Sequence, residues 1–139
     1  MVRVSWVALA LSLVLSTPGG ATQSPEAEAT KAADAWLALV DQAKYLESWE
    51  GAAPMFQAAV SKDRWNGMVS SLRGPLGKVE SRTLVDAKYM TSVPGAPPDG
   101  KYVVIQYSTT FENREGAVET VTPMQDEDGR WKVSGYFVR

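Results

Sequence analysis

AVETVTPMQDEDGRWKVSGYFVR, residues 117–139, sets two alternating apolar and polar runs on either side of Asp128-Gly129. Period-two alternation marks a half-buried strand, and Asp-Gly between two such runs signals a tight hairpin. A two-residue loop pairs Glu127 with Arg130, Met124 with Val133 and Thr120 with Phe137. A four-residue loop slides the pairing but keeps the faces, whereas a three-residue loop breaks the match and is disfavoured. Trp131, Val133 and Phe137 then share a face with Val118, Thr120, Thr122 and Met124. Glu119 and Val121 share the opposite face with Tyr136 and Val138.

Upstream, the same period continues. Lys101 to Glu112 reads as a strand with Val103, Ile105, Tyr107 and Phe111 on one side, and ENREG (residues 112–116) turns the chain into the strand from about Ala117 to Gln125. PGAPPDG (residues 94–100) is a loop. Before it, Val79, Ser81, Thr83, Val85, Ala87 and Tyr89 alternate with Lys78, Glu80, Arg82, Asp86 and Lys88, which puts Arg82 on the polar face. Arg130 to Arg139 completes a four-stranded antiparallel meander.

The period changes in front of Gly77. Ser24-Pro25-Glu26 opens a helix, with Ser as cap, Pro in the first turn and Glu26 and Glu28 at its positive end. Ala29, Ala32, Ala33, Trp36, Leu37, Val40 and Ala43 give it one buried stripe as far as about Lys44. YLESWEGAAPMFQAAV, broken by Gly51 and Pro54, predicts one or two short helices that turn Trp49, Phe56 and Val60 inward. Ser61 caps a further helix carrying Trp65, Met68, Val69 and Leu72, stopped by Arg73-Gly74-Pro75. Helices followed by a meander make an α+β fold: N-terminal helices packed on a curved four-stranded antiparallel sheet.

The first residues stand apart from this domain. MVR supplies a positive charge, Val4–Ser16 is apolar, and Gly19 and Ala21 are small, which is the layout of a secretory signal peptide. The apolar run is shorter than the roughly 20 residues of a spanning helix. Residues 1–21 are therefore predicted to be removed by cleavage between Ala21 and Thr22, leaving one domain over 22–139 in the periplasm or outside the cell, with no stable membrane insertion. There is no cysteine to carry a lipid.

Composition removes several chemistries. With no Cys, neither a thiolate nor a Cys-ligated metal is available, and with no His the commonest general base and metal ligand are missing. No cofactor motif, phosphate-cradling glycine pattern or nucleophile elbow is present. The formal net charge of −2, and mildly negative after loss of Arg3 with the leader, gives no footprint for nucleic acid.

Three groups of residues could carry a site. Asp41 and Tyr45, four apart, reach one side of a continuing helix. Glu119 and Tyr136 are near cross-strand neighbours on one face, where a carboxylate beside a phenol could bind a polar ligand or abstract a proton; Tyr107 is a further candidate ligand-binding residue. Arg73 and Arg82 flank the GPLG turn and could hold a carboxylate or phosphate, or else bond helix carbonyls or a neighbouring Glu. The tryptophans at 36, 49, 65 and 131 read as core.

AWLALVDQAKYLESW, then F-x-x-x-V-S-x-x-x-W, LRGPLGKVESR, AVETVT and DGRWKVSGYFVR resemble, in this order, the DUF4019 family of small exported bacterial domains, over roughly Ala35 to Arg139. The resemblance implies a bacterial, secreted or periplasmic protein with no assigned reaction. The element order is also similar to the nuclear-transport-factor-2-like (cystatin-like) cone fold, which hosts isomerases, dehydratases and many non-enzymes. Fold alone does not fix function.

The expectation is an exported, non-catalytic domain that binds a small molecule or an envelope protein. One alternative is an isomerase- or dehydratase-like enzyme with Glu119 or Asp41 as base and Tyr45, Tyr107 or Tyr136 as acid. Another is a structural envelope protein that pairs, for instance as a homodimer, through a sheet face exposing Tyr102, Val104 and Val138. The direction in which Glu119 points separates them.

Overall fold

A computed structural model describes residues 23–139; the expected leader and the Ala21–Thr22 cleavage position lie outside them. Four helices, α1 (Pro25–Asp41), α2 (Tyr45–Glu50), α3 (Pro54–Ala59) and α4 (Lys62–Leu76), precede four strands. These are β1 (Val79–Met90), β2 (Tyr102–Phe111), β3 (Arg114–Gln125) and β4 (Trp131–Val138), antiparallel in the order β1-β2-β3-β4. The fold is α+β, as expected.

Helix α1 lies across one face of the sheet, touching all four strands; that face is called inner below. Its stripe Ala29, Ala33, Trp36, Leu37 and Val40 is buried against Val103, Ile105, Tyr107, Val121 and Val133. Non-directional burial of this apolar area drives the assembly. The indole N–H groups are matched as well: Trp36 donates to Ser48 O at 2.8 Å, Trp65 to Ser48 Oγ at 3.0 Å and Trp49 to Val60 O at 2.8 Å. Core use of these tryptophans agrees with the sequence.

Both helix ends near the site differ from expectation. Helix α1 stops at Asp41, not Lys44, because Ala43 adopts φ 58°. Lys44 N–H then donates to Leu39 O and Ala43 N–H to Val40 O, a Schellman closure with Ala where glycine is usual. Helix α4 runs on through Pro75 to Leu76. A proline in the last turn forfeits little, and Gly74 before it has no Cβ to clash with the ring. Arg73 is thereby the third member of a buried stripe with Trp65 and Val69, while Met68 and Leu72 are exposed.

Strand faces are decided by bulges. Register shifts between Val79 and Ser81 and between Leu84 and Asp86 each insert an extra residue in β1. Each one-residue insertion exchanges the two faces. Arg82, opposite Thr109, and Leu84, opposite Tyr107, therefore turn inward, against the strict alternation read from sequence. The second shift restores Ala87 and Tyr89 to the inner side, opposite Ile105 and Val103.

The β3–β4 hairpin carries a similar correction. Gln125 pairs with Trp131, and Asp126 N–H donates to Arg130 O at 2.8 Å, which leaves a three-residue loop, the length disfavoured above. Pro123, not Met124, faces Val133, and a shift at Thr122/Pro123 leaves Ser134 as the extra residue. Beyond it Thr120 faces Phe137 and Val121 faces Tyr136, as expected. Loop and bulge cancel, so Glu119 and Tyr136 keep their inner face while Trp131 and Val133 join them. Tyr102, expected on an exposed face, is buried, and its hydroxyl donates to Pro97 O at 2.9 Å.

Candidate functional site

Glu119 is 0% exposed. A buried carboxylate must be paired and hydrogen-bonded to persist in charged form, and every element around this one contributes. Arg82 Nε, from β1, donates to its Oε1 at 2.8 Å, and Thr109 Oγ1, from β2, donates to the same oxygen at 2.6 Å. Tyr136 Oη, from β4, donates to Oε2 at 2.5 Å.

The second carboxylate is Asp41, at the end of α1. Arg82 reaches it in a two-pronged pair, Nη1 to Oδ2 at 2.7 Å and Nη2 to Oδ1 at 3.0 Å. Such forked guanidinium–carboxylate pairs combine charge with fixed geometry. Arg73, from the last turn of α4, adds Nη2 to Asp41 Oδ1 at 2.8 Å and Nη1 to Tyr136 Oη at 3.4 Å. Phe111 lies under the Arg73 guanidinium at 5.0 Å and Tyr107 under that of Arg82 at 5.9 Å. Tyr107 in turn donates to Asp34 Oδ1 at 2.7 Å.

These contacts perturb the titrations. Burial alone would raise the Asp41 carboxyl, but the hydrogen bonds and charges of Arg82 and Arg73 hold it below its ordinary value. Burial, and then the charge of Glu119, push the Tyr136 phenol well above the usual tyrosine range. Burial and the bond to Asp34 do the same to Tyr107. Both phenols remain protonated donors throughout the physiological range.

Asp41, Arg73, Arg82, Tyr107, Glu119 and Tyr136, read separately in the sequence, thus form one cluster. Tyr45 does not belong to it: the turn at Gln42–Lys44 separates it from α1, and its ring packs on the hydrophobic core. Two members were missed. Thr109 is the polar residue in the inward alternation Val103, Ile105, Tyr107, Phe111, which was its signal. Asp34 lies two helical turns before Asp41 on α1.

The network meets the surface at a cleft of about 400 Å³ between α1 and β1, lined by Thr30, Asp34, Ala38, Asp41, Arg82, Leu84 and Tyr107. Its size is at the low end of small-molecule sites, roughly 300–1,000 Å³. Glu119 and Tyr136 do not line it. Among the described residues no group of three or more acidic side chains could hold a metal, and no helix is long and apolar enough to cross a membrane.

The structure defines an α+β domain whose helical layer is tied to its sheet by a partly buried lattice of two carboxylates and two guanidiniums. Residues 32–136 match the family model described as a protein of unknown function, DUF4019, and the chain belongs to that family. No curated protein matches it.

Proposed function

We propose that this is an exported, non-catalytic domain of the bacterial envelope, with its leader removed after Ala21, that binds a small positively charged polar molecule in the cleft between α1 and β1. The observation that carries this is the charge left over at the cleft. Of the residues lining it, Asp34 and Asp41 carry two negative charges against the one of Arg82, and among the described residues Asp34 receives only the hydroxyl of Tyr107. Arg82 is already matched by Asp41 and Glu119, so the unpaired charge of the cleft is negative and favours an ammonium or guanidinium group. Farther along the same groove Glu26 and Lys31 offset each other, so the excess stays at Asp34 and Asp41.

The isomerase-like alternative needs a free base and a free acid facing a substrate. Glu119 has both oxygens occupied, and Tyr136 spends its proton on Glu119, so the two groups satisfy each other. A cleft that excludes the pair supports binding without turnover.

Calorimetric titration with 1,4-diaminobutane, and with succinate as the anionic control, tests the proposal. Saturable binding of the diamine alone, weakened at least tenfold in Asp34→Asn, is expected. Preference for succinate, or equal binding by the variant, contradicts it.

A further inference from the structure

The other face of the sheet carries a second concavity, built to a different chemistry. A groove of about 530 Å³ runs over the outer face, its floor formed by β2, β3 and β4 and its walls by Met55, Met90, Val93, Pro94 and Phe137. None of the residues lining it is charged, although 22% of the chain is.

Two features of its floor have no explanation within the chain. Thr120 is 5% exposed, yet its hydroxyl has no hydrogen-bond partner among the described residues. A buried hydroxyl left unmatched costs about 1–3 kcal/mol, so most such groups in proteins are satisfied. The other feature is Gly135, in the interior of β4, where glycine weakens a strand unless backbone conformation or a close neighbour requires it. Its φ is not in the left-handed region, and an added Cβ would meet only Thr122 Cβ at an ordinary 3.9 Å. Neither the adjacent bulge nor any packing neighbour asks for a glycine there. The absent side chain leaves room over the strand next to an unmatched hydroxyl.

We propose that this groove is a second binding site, for an uncharged small molecule with an apolar body and one hydrogen-bonding oxygen that pairs with Thr120 Oγ1. The two methionines suit it, since their unbranched thioether side chains adapt to irregular apolar shapes. A charged headgroup is disfavoured because the groove offers no counter-charge. A second copy of the chain fits less well: two concave faces laid together trap voids, whereas a small molecule fills one.

The test is fluorescence titration of the purified protein with N-phenyl-1-naphthylamine, a neutral apolar probe, followed by competition with 1-decanol, decanoate and decane. Expected is one saturable site from which 1-decanol displaces the probe better than decanoate or decane. Gly135→Leu, which fills the groove without backbone strain, should abolish the signal. Thr120→Val, which keeps the shape and removes the hydroxyl, should weaken 1-decanol about tenfold and leave decane unchanged. Thr120→Val keeps the test decisive should Gly135→Leu fail to fold. Absence of a saturable site, unchanged binding in Gly135→Leu, or equal competition by all three compounds overturns the proposal. So does a dimer in sedimentation that Gly135→Leu converts to monomer, which assigns the face to self-association.

Discussion

The two faces of the sheet were built under opposite rules. On the inner side, the fully buried Glu119 and the partly exposed Asp41 are paired with Arg82 and Arg73, and hydroxyls from β2 and β4 complete the bonds to Glu119. On the outer side, one residue along the same strand, Thr120 faces a groove with no charged residue in its lining, and its buried hydroxyl has no partner among the described residues. Adjacent residues of one strand thus meet a densely paired ionic lattice, in which Arg73 Nε alone is buried without a partner among the described residues, and an uncharged floor that includes Gln106, Thr122 and Ser134. Paired charges hold the helices on the sheet, whereas an uncharged groove with an unmatched hydroxyl is where something else can bind.

That contrast is broken most severely by Glu119→Ala. The substitution leaves the Arg82 Nε, the Thr109 hydroxyl and the Tyr136 hydroxyl without their acceptor, and removing one partner of a buried ion pair costs about 3–5 kcal/mol. Denaturant melts should show a loss in that range. Tyr136→Phe, which strands one carboxylate oxygen and one hydrogen bond from Arg73, should cost about 1–2 kcal/mol in the same assay.

Acid should act through Asp41. A carboxyl held below its ordinary value by folding contributes stability that is fully present above the unfolded value of about 4. That contribution is lost as pH falls through the lower folded value. Wild-type stability should therefore decline below about pH 4, and Asp41→Asn should flatten that part of the profile while lowering the plateau at neutral pH. Equal slopes in the two proteins would remove Asp41 from the account.

The smallest effects belong to the outer face and the turn. Thr120→Val should leave stability unchanged or raise it by up to about 1 kcal/mol, since the hydroxyl makes no bond to lose. Ala43→Gly should raise stability by roughly 0.5–1 kcal/mol by relieving a left-handed alanine at the end of α1. A clear loss from Thr120→Val would mean that its hydroxyl is matched after all, and the contrast between the faces would fall.

Much of this architecture could be read in the sequence, and what escaped has local causes. Helix periodicity identified α1 and its Trp36 stripe because a long amphipathic pattern averages over many residues. Alternation placed Glu119 and Tyr136 together on one face, and the structure makes that face the inner one. It failed for Arg82, since a bulge at Glu80 has no sequence signature and a single extra residue reverses the face. Loops of two or four residues fit the alternation and the actual loop has three, yet the bulge at Ser134 restores the faces from Thr120 onward. Gly-Pro at 74–75 signals a stop, whereas here Gly74 lets the helix continue through Pro75 to Leu76. The pairings of Arg73 with Asp41 and of Arg82 with Glu119 join residues more than thirty positions apart, and no single-chain pattern records such partners.

The central claim is that Glu119 and Tyr136 form a structural pair rather than a catalytic one. A double-mutant cycle on equilibrium unfolding, with Glu119→Gln, Tyr136→Phe and the double variant, measures this directly. Both single variants should be less stable than wild type, with a coupling of about 1 kcal/mol or more between them. Residues retained for chemistry at the expense of the fold behave otherwise, and their replacement commonly stabilises. Single variants as stable as wild type or more so, with no coupling, would contradict the claim and return Glu119 to the enzyme alternative.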